Sequence, residues 1–175
     1  MKKLFFGVTL TLFSFCIRAQ SESPLLIKSH VQKLENAKKY TIAVANLMPD
    51  SLYNYRPVPA EMSFREQLIH ISQNLYWLSS TIAEVPNPFQ SSKDQLTKLS
   101  KESIISLVIN AYNYAINSID KVDTKTLSKQ FKFSGEHLNK YQFFNLIEDH
   151  QAHHRGQIVV YLRLKGITPP KYIGW

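Results

Sequence analysis

Four stretches of about twenty residues repeat apolar side chains at three- and four-residue steps, and breaks separate them. That period places each apolar set on one stripe of an α-helix. The first runs from about Leu25 to Leu47, with Ile27, Val31, Leu34, Ala37, Thr41 and Val44 on its stripe, and Met48-Pro49-Asp50 ends it. The second starts near Ser63, an N-cap with Glu66 three residues on. It carries Phe64, Leu68, Ile71, Leu75, Leu78 and Ile82, and stops at Val85-Pro86-Asn87-Pro88. The third spans about Ser100 to Ile119, with Ile104, Val108, Ala111, Ala115 and Ile119 in register. The fourth spans about Asn139 to Lys165, with Phe143, Ile147, Ile158 and Tyr161 on its stripe. Gly166 caps it and Pro169-Pro170 forbids continuation. No stretch sustains the two-residue alternation of strands. The expected fold is therefore all-α, a four-helix bundle. Two connections exceed what a tight bundle needs, the Tyr/Pro segment 51–61 and segment 122–138 with Phe131-Lys132-Phe133. Both are expected to fold over an end of the bundle, where a site would sit.

The chain's 175 residues suffice for one domain, and 44% hydrophobic with 19% charged residues is a globular balance. Residues 1–19 read as an export signal. Lys2-Lys3 supplies the positive start, Leu4 to Ile17 the apolar run, and Ala19 the small residue before a cut at Gln20. Phe15 before Cys16 departs from the small residue a lipidation site wants. The domain is then 20–175, exported to the periplasm or secreted. The only cysteine leaves with the signal, so neither a disulfide framework nor a thiolate zinc site is available. Losing Lys2, Lys3 and Arg18 takes the formal charge from +8 to about +5. The longest basic run left is Lys38-Lys39, so nucleic acid is not an expected partner.

Three of the six histidines fall in His150-Gln151-Ala152-His153-His154. At about 100° per residue, His150 and His154 lie about 60° and 20° from Ile147, on the stripe, whereas His153 lies about 120° away, on the flank. Two imidazoles aimed at a core must satisfy their ring nitrogens, and a divalent metal shared by an i, i+4 pair does so. Hydrogen-bonded core histidines or a surface patch would account for the pair as well. A third ligand would come from His30, His70, His137 or an acid. His70 lies in the apolar run Leu68-Ile69-His70-Ile71, about 120° from the centre of its stripe and near Trp77. His30 and His137 read as surface residues. Glu148 and Asp149 fall off the ligand face and read as solvated. Arg155 is placed to pair with an acid on the next helix, and Gly156 either allows close helix approach or merely weakens the helix.

The chain resembles the DinB-like (DinB/YfiT) superfamily over nearly all of the mature length. The resemblance rests on Met48-Pro49, Tyr55-Arg56-Pro57, His70, the run His150 to Gln157, and Tyr161-Leu162-Arg163 with Gly166, Thr168, Pro169 and Pro170. It implies a four-helix bundle of unusual connectivity and a metal triad of His70, His150 and His154. It also implies a divalent ion, zinc or nickel foremost, and in some members transfer of low-molecular-weight thiols to electrophiles. Export sits awkwardly with that transfer, because the thiol cosubstrate is abundant in the cytosol.

Two functions follow as expectations. One is a metalloenzyme, hydrolase or transferase, with three imidazoles leaving a coordination position for water or thiol chemistry on a small-molecule substrate. The other is a non-catalytic metal-binding or stress-related bundle. Homodimerisation is left open. A pocket reaching the metal favours the enzyme; loops sealing it favour the module. Ligation by neutral imidazoles is expected to weaken as pH falls through about 6.5.

Overall fold

The computed structural model describes residues 23–175; the expected signal and its cut at Gln20 lie outside them. The helices are α1 (Ser23–Leu47), α2 (Phe64–Ala83), the short α3 (Lys93–Thr97), α4 (Lys101–Asp120) and α5 (Lys140–Leu164). A two-stranded antiparallel hairpin, β1 (Gln130–Phe133) and β2 (Glu136–Asn139), precedes α5. The four long helices are the four expected ones. Among the described residues no helix is long and apolar enough to cross a membrane.

Local chemistry sets the helix ends. Ser63 Oγ accepts from the Glu66 amide while the Glu66 carboxylate accepts from the Ser63 amide, a closed capping box. Asn139 and Gln142 repeat it at the start of α5. Gly166, at φ +71°, lets the Ile167 amide turn back onto the Leu162 carbonyl.

α4 packs on α2 and α1, and α5 packs on α2 and α1. The chain's successive long helices α1 and α2 thus stand diagonally across the bundle, as do α4 and α5. A diagonal step needs a longer link than a neighbouring one, which accounts for the lengths of the Tyr/Pro segment and of segment 122–138. The stripe residues Leu34, Val44, Leu68, Leu75, Val108, Ala115, Phe143 and Ile158 are all buried in the core. One polar seam crosses that core. Thr41 of α1 bonds Tyr112 of α4 (3.0 Å), the Tyr112 hydroxyl donates to Gln151 of α5 (3.2 Å), and Gln151 donates to the Ile71 carbonyl of α2 (3.4 Å). Thr41, Tyr112 and Gln151 thereby each have a partner, and the seam ties all four helices together.

Two elements were not expected. α3 is a five-residue helix with its own Ser92–Gln95 capping box. The hairpin turns at Ser134-Gly135, both with positive φ, the two-residue turn that suits strand twist. Its strands are too short to establish a period in sequence. Phe131 and Phe133 share a face and pack edge-on against Phe143, and Phe133 also stacks on Trp77.

Gly156 has open space where a Cβ would stand, so close helix approach is not its role. In an exposed helix interior Gly156→Ala is expected to stabilise the protein by about 0.5–1 kcal/mol, read as a raised melting temperature.

Candidate metal centre

α2 and α5 run antiparallel, so that Gln67 meets the Gln157 end of α5 and Ile71 meets Gln151. Between those contacts His70 reaches α5 from the flank of α2, one turn of helix past Gln67. His150 and His154, four residues apart, reach back from α5. One ring nitrogen from each of the three lies within 4.8 Å of the others. The ring centroids stand 5.0 Å (His70–His150), 4.5 Å (His70–His154) and 4.4 Å (His150–His154) apart. His154 is buried and the other two are half-buried.

The cluster lies along the α2–α5 groove rather than at an end of the bundle, which corrects the expectation drawn from the long loops. Those loops flank it instead. On one side Tyr161 packs edge-on against Tyr55 and its hydroxyl donates to the Met62 carbonyl at 2.8 Å. On the other stand Trp77, Phe133 and Phe143.

The donors suit a cation. The Nδ1 of His150 is buried and has no hydrogen-bond partner among the described residues. Leaving such a nitrogen bare is costly, and an ion supplies what it lacks. The Nδ1–H of His154 donates to Gln67 Oε1 at 2.6 Å, which leaves Nε2 as the lone-pair nitrogen. All three rings are held neutral. Burial pushes His70 below the ordinary imidazole range. Burial, then the neighbouring His70 and His153, bring His150 down to about 4. Burial, then the other three histidines, bring His154 to about 4. Neutral imidazole is the ligating form, so protons compete for the site below the pH of about 6.5 expected of free histidine.

A cavity of about 720 Å³ opens beside the cluster, with His70 on its wall. It runs between the Tyr/Pro segment (Arg56, Pro59 to Met62), the first half of α2 and Leu96 of α3. The Tyr/Pro segment therefore borders this space and does not seal it. Arg56 ties that segment to α2 through Glu66 at 2.9 Å and the Glu61 carbonyl at 3.3 Å.

The remaining candidates fall elsewhere. His137 is exposed on β2. His153 is exposed, and Gln157 donates to its Nε2 at 3.1 Å. Asp149 is exposed. His30 and Glu148 correct the sequence reading. His30 is buried against Phe144 and its Nδ1–H donates to Glu148 at 2.5 Å, while Lys33 bonds the other carboxylate oxygen at 2.5 Å. Burial pushes the Glu148 carboxyl up, but the hydrogen bonds from His30 and Lys33 outweigh it and hold the group below the usual carboxylate range. α5 packs on two helices, so the side turned away from α2 faces α1, not water. Arg155 makes no ion pair among the described residues, and its Nη1 is buried without a partner. Gln67 and Gln157 join the site although neither is among the candidates that the sequence offers. Both lie three residues from a clustered histidine on the same helix face, the signal that could have singled them out.

A family model described as the DinB family matches residues 24–173. An uncharacterized Bacillus subtilis (strain 168) protein, YjoA, is 21% identical over 136 residues, covering 75% of this chain and 85% of that one. The crystal structure of that DinB-like protein superposes with a TM-score of 0.68 at 22% identity, over 83% of this chain and 97% of that one. A DinB-like protein from Bacillus cereus ATCC 10987 gives 0.67 at 18% identity, over 82% and 95%.

Proposed function

The chain belongs to the DinB family, and from that premise we propose that it is an exported, divalent-metal-dependent enzyme whose ion, zinc or nickel, is held by His70, His150 and His154. The observation that carries the reading is the convergence of three neutral imidazoles, one with a bare buried nitrogen, beside a cavity large enough for a small-molecule substrate. Such an ion, when bound, supplies Lewis acidity for water or thiol chemistry, hence a hydrolase or a transferase. The protein's own contributions are separate. The three rings offer neutral donors. The Tyr/Pro segment and α3 wall the substrate space, and Trp77 with Phe133 and Phe143 packs apolar surface along the groove on the other side.

A non-catalytic metal-binding module is the second reading, and one observation favours it. The nearby acid on α5, Glu148, is spent on His30 and Lys33, so it is no free general base.

Export rests on the pattern Lys2-Lys3, Leu4 to Ile17 and Ala19. Elemental analysis of protein purified from its native compartment is expected to give about one zinc or nickel per chain, and none for His150→Ala. Intact mass of the same sample is expected to start at Gln20. A metal-free wild type would overturn the metal reading; retention of Met1, or a lipid on Cys16, would overturn the soluble exported form.

A further inference from the structure

A chain of hydrogen bonds leaves the cluster on the side of His154. Its Nδ1–H donates to Gln67 Oε1 at 2.6 Å. The Gln67 amide nitrogen donates to Gln157 Oε1 and faces the Tyr161 hydroxyl at 3.5 Å. The Gln157 amide nitrogen donates to His153 Nε2 at 3.1 Å, at the surface. Gln67 is 1% exposed and Tyr161 3% exposed, so the inner end of this network has little recourse to water.

Such a chain can be satisfied in two directions. Turning both amides over would aim the Gln67 nitrogen at His154 Nδ1, and that ring would then carry its proton on Nε2. The direction is decided at Tyr161. Its hydroxyl donates to the Met62 carbonyl at 2.8 Å, and a carbonyl only accepts. The Tyr161 oxygen is thus left to accept, and it faces the Gln67 amide nitrogen. With the Gln67 nitrogen on that side, its oxygen is the atom that faces His154, at 2.6 Å.

We infer that Gln67 is a positioning residue: held in direction by Tyr161 and the Met62 carbonyl, it fixes His154 as the Nδ1–H tautomer and keeps Nε2 bare toward His70 and His150. This rests on the metal reading above for its purpose, though not for its geometry. The free histidine side chain prefers the opposite tautomer, so without Gln67 a share of the protein would first have to move a proton before His154 could ligate through Nε2. Partners of ligating histidines typically carry a 10- to 100-fold share of metal affinity.

The test uses full-length mature protein, nitrogen-15 labelled on histidine, with zinc as the probe. In metal-free wild type, ring-nitrogen shifts of His154 are expected to show Nδ1 protonated and Nε2 bare. Gln67→Met is expected to populate the Nε2–H form and to weaken zinc about 10- to 100-fold. Gln67→Glu keeps an acceptor at that place and is expected to restore both. His153→Ala lies beyond the direction-setting contact and is expected to leave the tautomer unchanged. Tyr161→Phe removes that contact and is expected to mix the two forms; it decides the matter even if Gln67→Met does not fold. A wild type protonated on Nε2, or the same tautomer in wild type, Gln67→Met and Tyr161→Phe, overturns the inference. A wild type that takes up no zinc yet shows the tautomer shift overturns the metal reading and bears out the role of Gln67.

Discussion

His154→Ala protein is expected to lose zinc affinity by on the order of a hundred- to a thousand-fold, while His153→Ala stays within a few-fold of wild type. The size follows from sharing. Four-ligand structural zinc sites bind with about 10–16 kcal/mol in all, so one ligand in three or four carries a few kcal/mol. The contrast follows from position. His154 is buried within 4.5 Å, ring to ring, of both His70 and His150, whereas His153 is exposed and stands edge-on to His154 at 4.9 Å. His150→Ala should match His154→Ala. Fold should survive in every case, because Phe143, Ile147, Ile158 and Tyr161 still bury α5. Zinc titration against a competing chelator, with circular dichroism on the same samples, measures both. Equal losses from His153→Ala and His154→Ala would mean that the ligand face of α5 is misassigned. Outright unfolding of metal-free wild type would mark the ion as structural and turn the balance toward the non-catalytic module.

Periodicity carried the four long helices because each stripe is long and its breaks are chemically marked. Ser63, Asn139 and Gly166 cap the helices in the structure where the sequence placed the ends. The neighbour relations were not legible. A stripe says that a helix has a buried side, not how many partners share it. α5 touches both α1 and α2, and that second face is why Glu148 and His30 are buried rather than solvated. The same blindness put His70 off its own stripe, although the flank it occupies is the one facing α5. The hairpin escaped because β1 and β2 have four residues each, with only Phe131 and Phe133 to alternate. The glutamines escaped for another reason. Gln67 and Gln157 are ordinary on a helix surface, and only the approach of α2 to α5 makes them partners.

Metal-free protein is expected to lose stability steadily as pH falls from about 6.5 toward 4. The sign is set by where protons bind. His150 and His154 titrate at about 4 when folded, against 6.5 in an open chain. Between those values the unfolded state holds more protons, so acid favours unfolding. Their stabilising effect is complete above 6.5 and is lost progressively down to 4. Each group contributes a slope of at most about 1.4 kcal/mol per pH unit, less for the half-exposed His150, where solvent screens the charge. Glu148 acts in a lower window. Its depressed carboxyl contributes stability above the ordinary value of 4.5, lost as pH falls through its folded pKa. Urea melts of metal-free protein from pH 7.5 to 3 read the slope. The double variant His150→Ala/His154→Ala should flatten it between 6.5 and 4 and leave the Glu148 region unchanged. An equally steep slope in that variant would show that His150 and His154 are not desolvated neutral groups, and the case for a prepared cation site would fall with them. Saturating zinc adds a stabilisation that grows with its concentration above the Kd, because it binds only the folded arrangement of the three rings. Acid should strip that increment below the 6.5 of free histidine, and most steeply as pH approaches the folded values of His150 and His154 near 4.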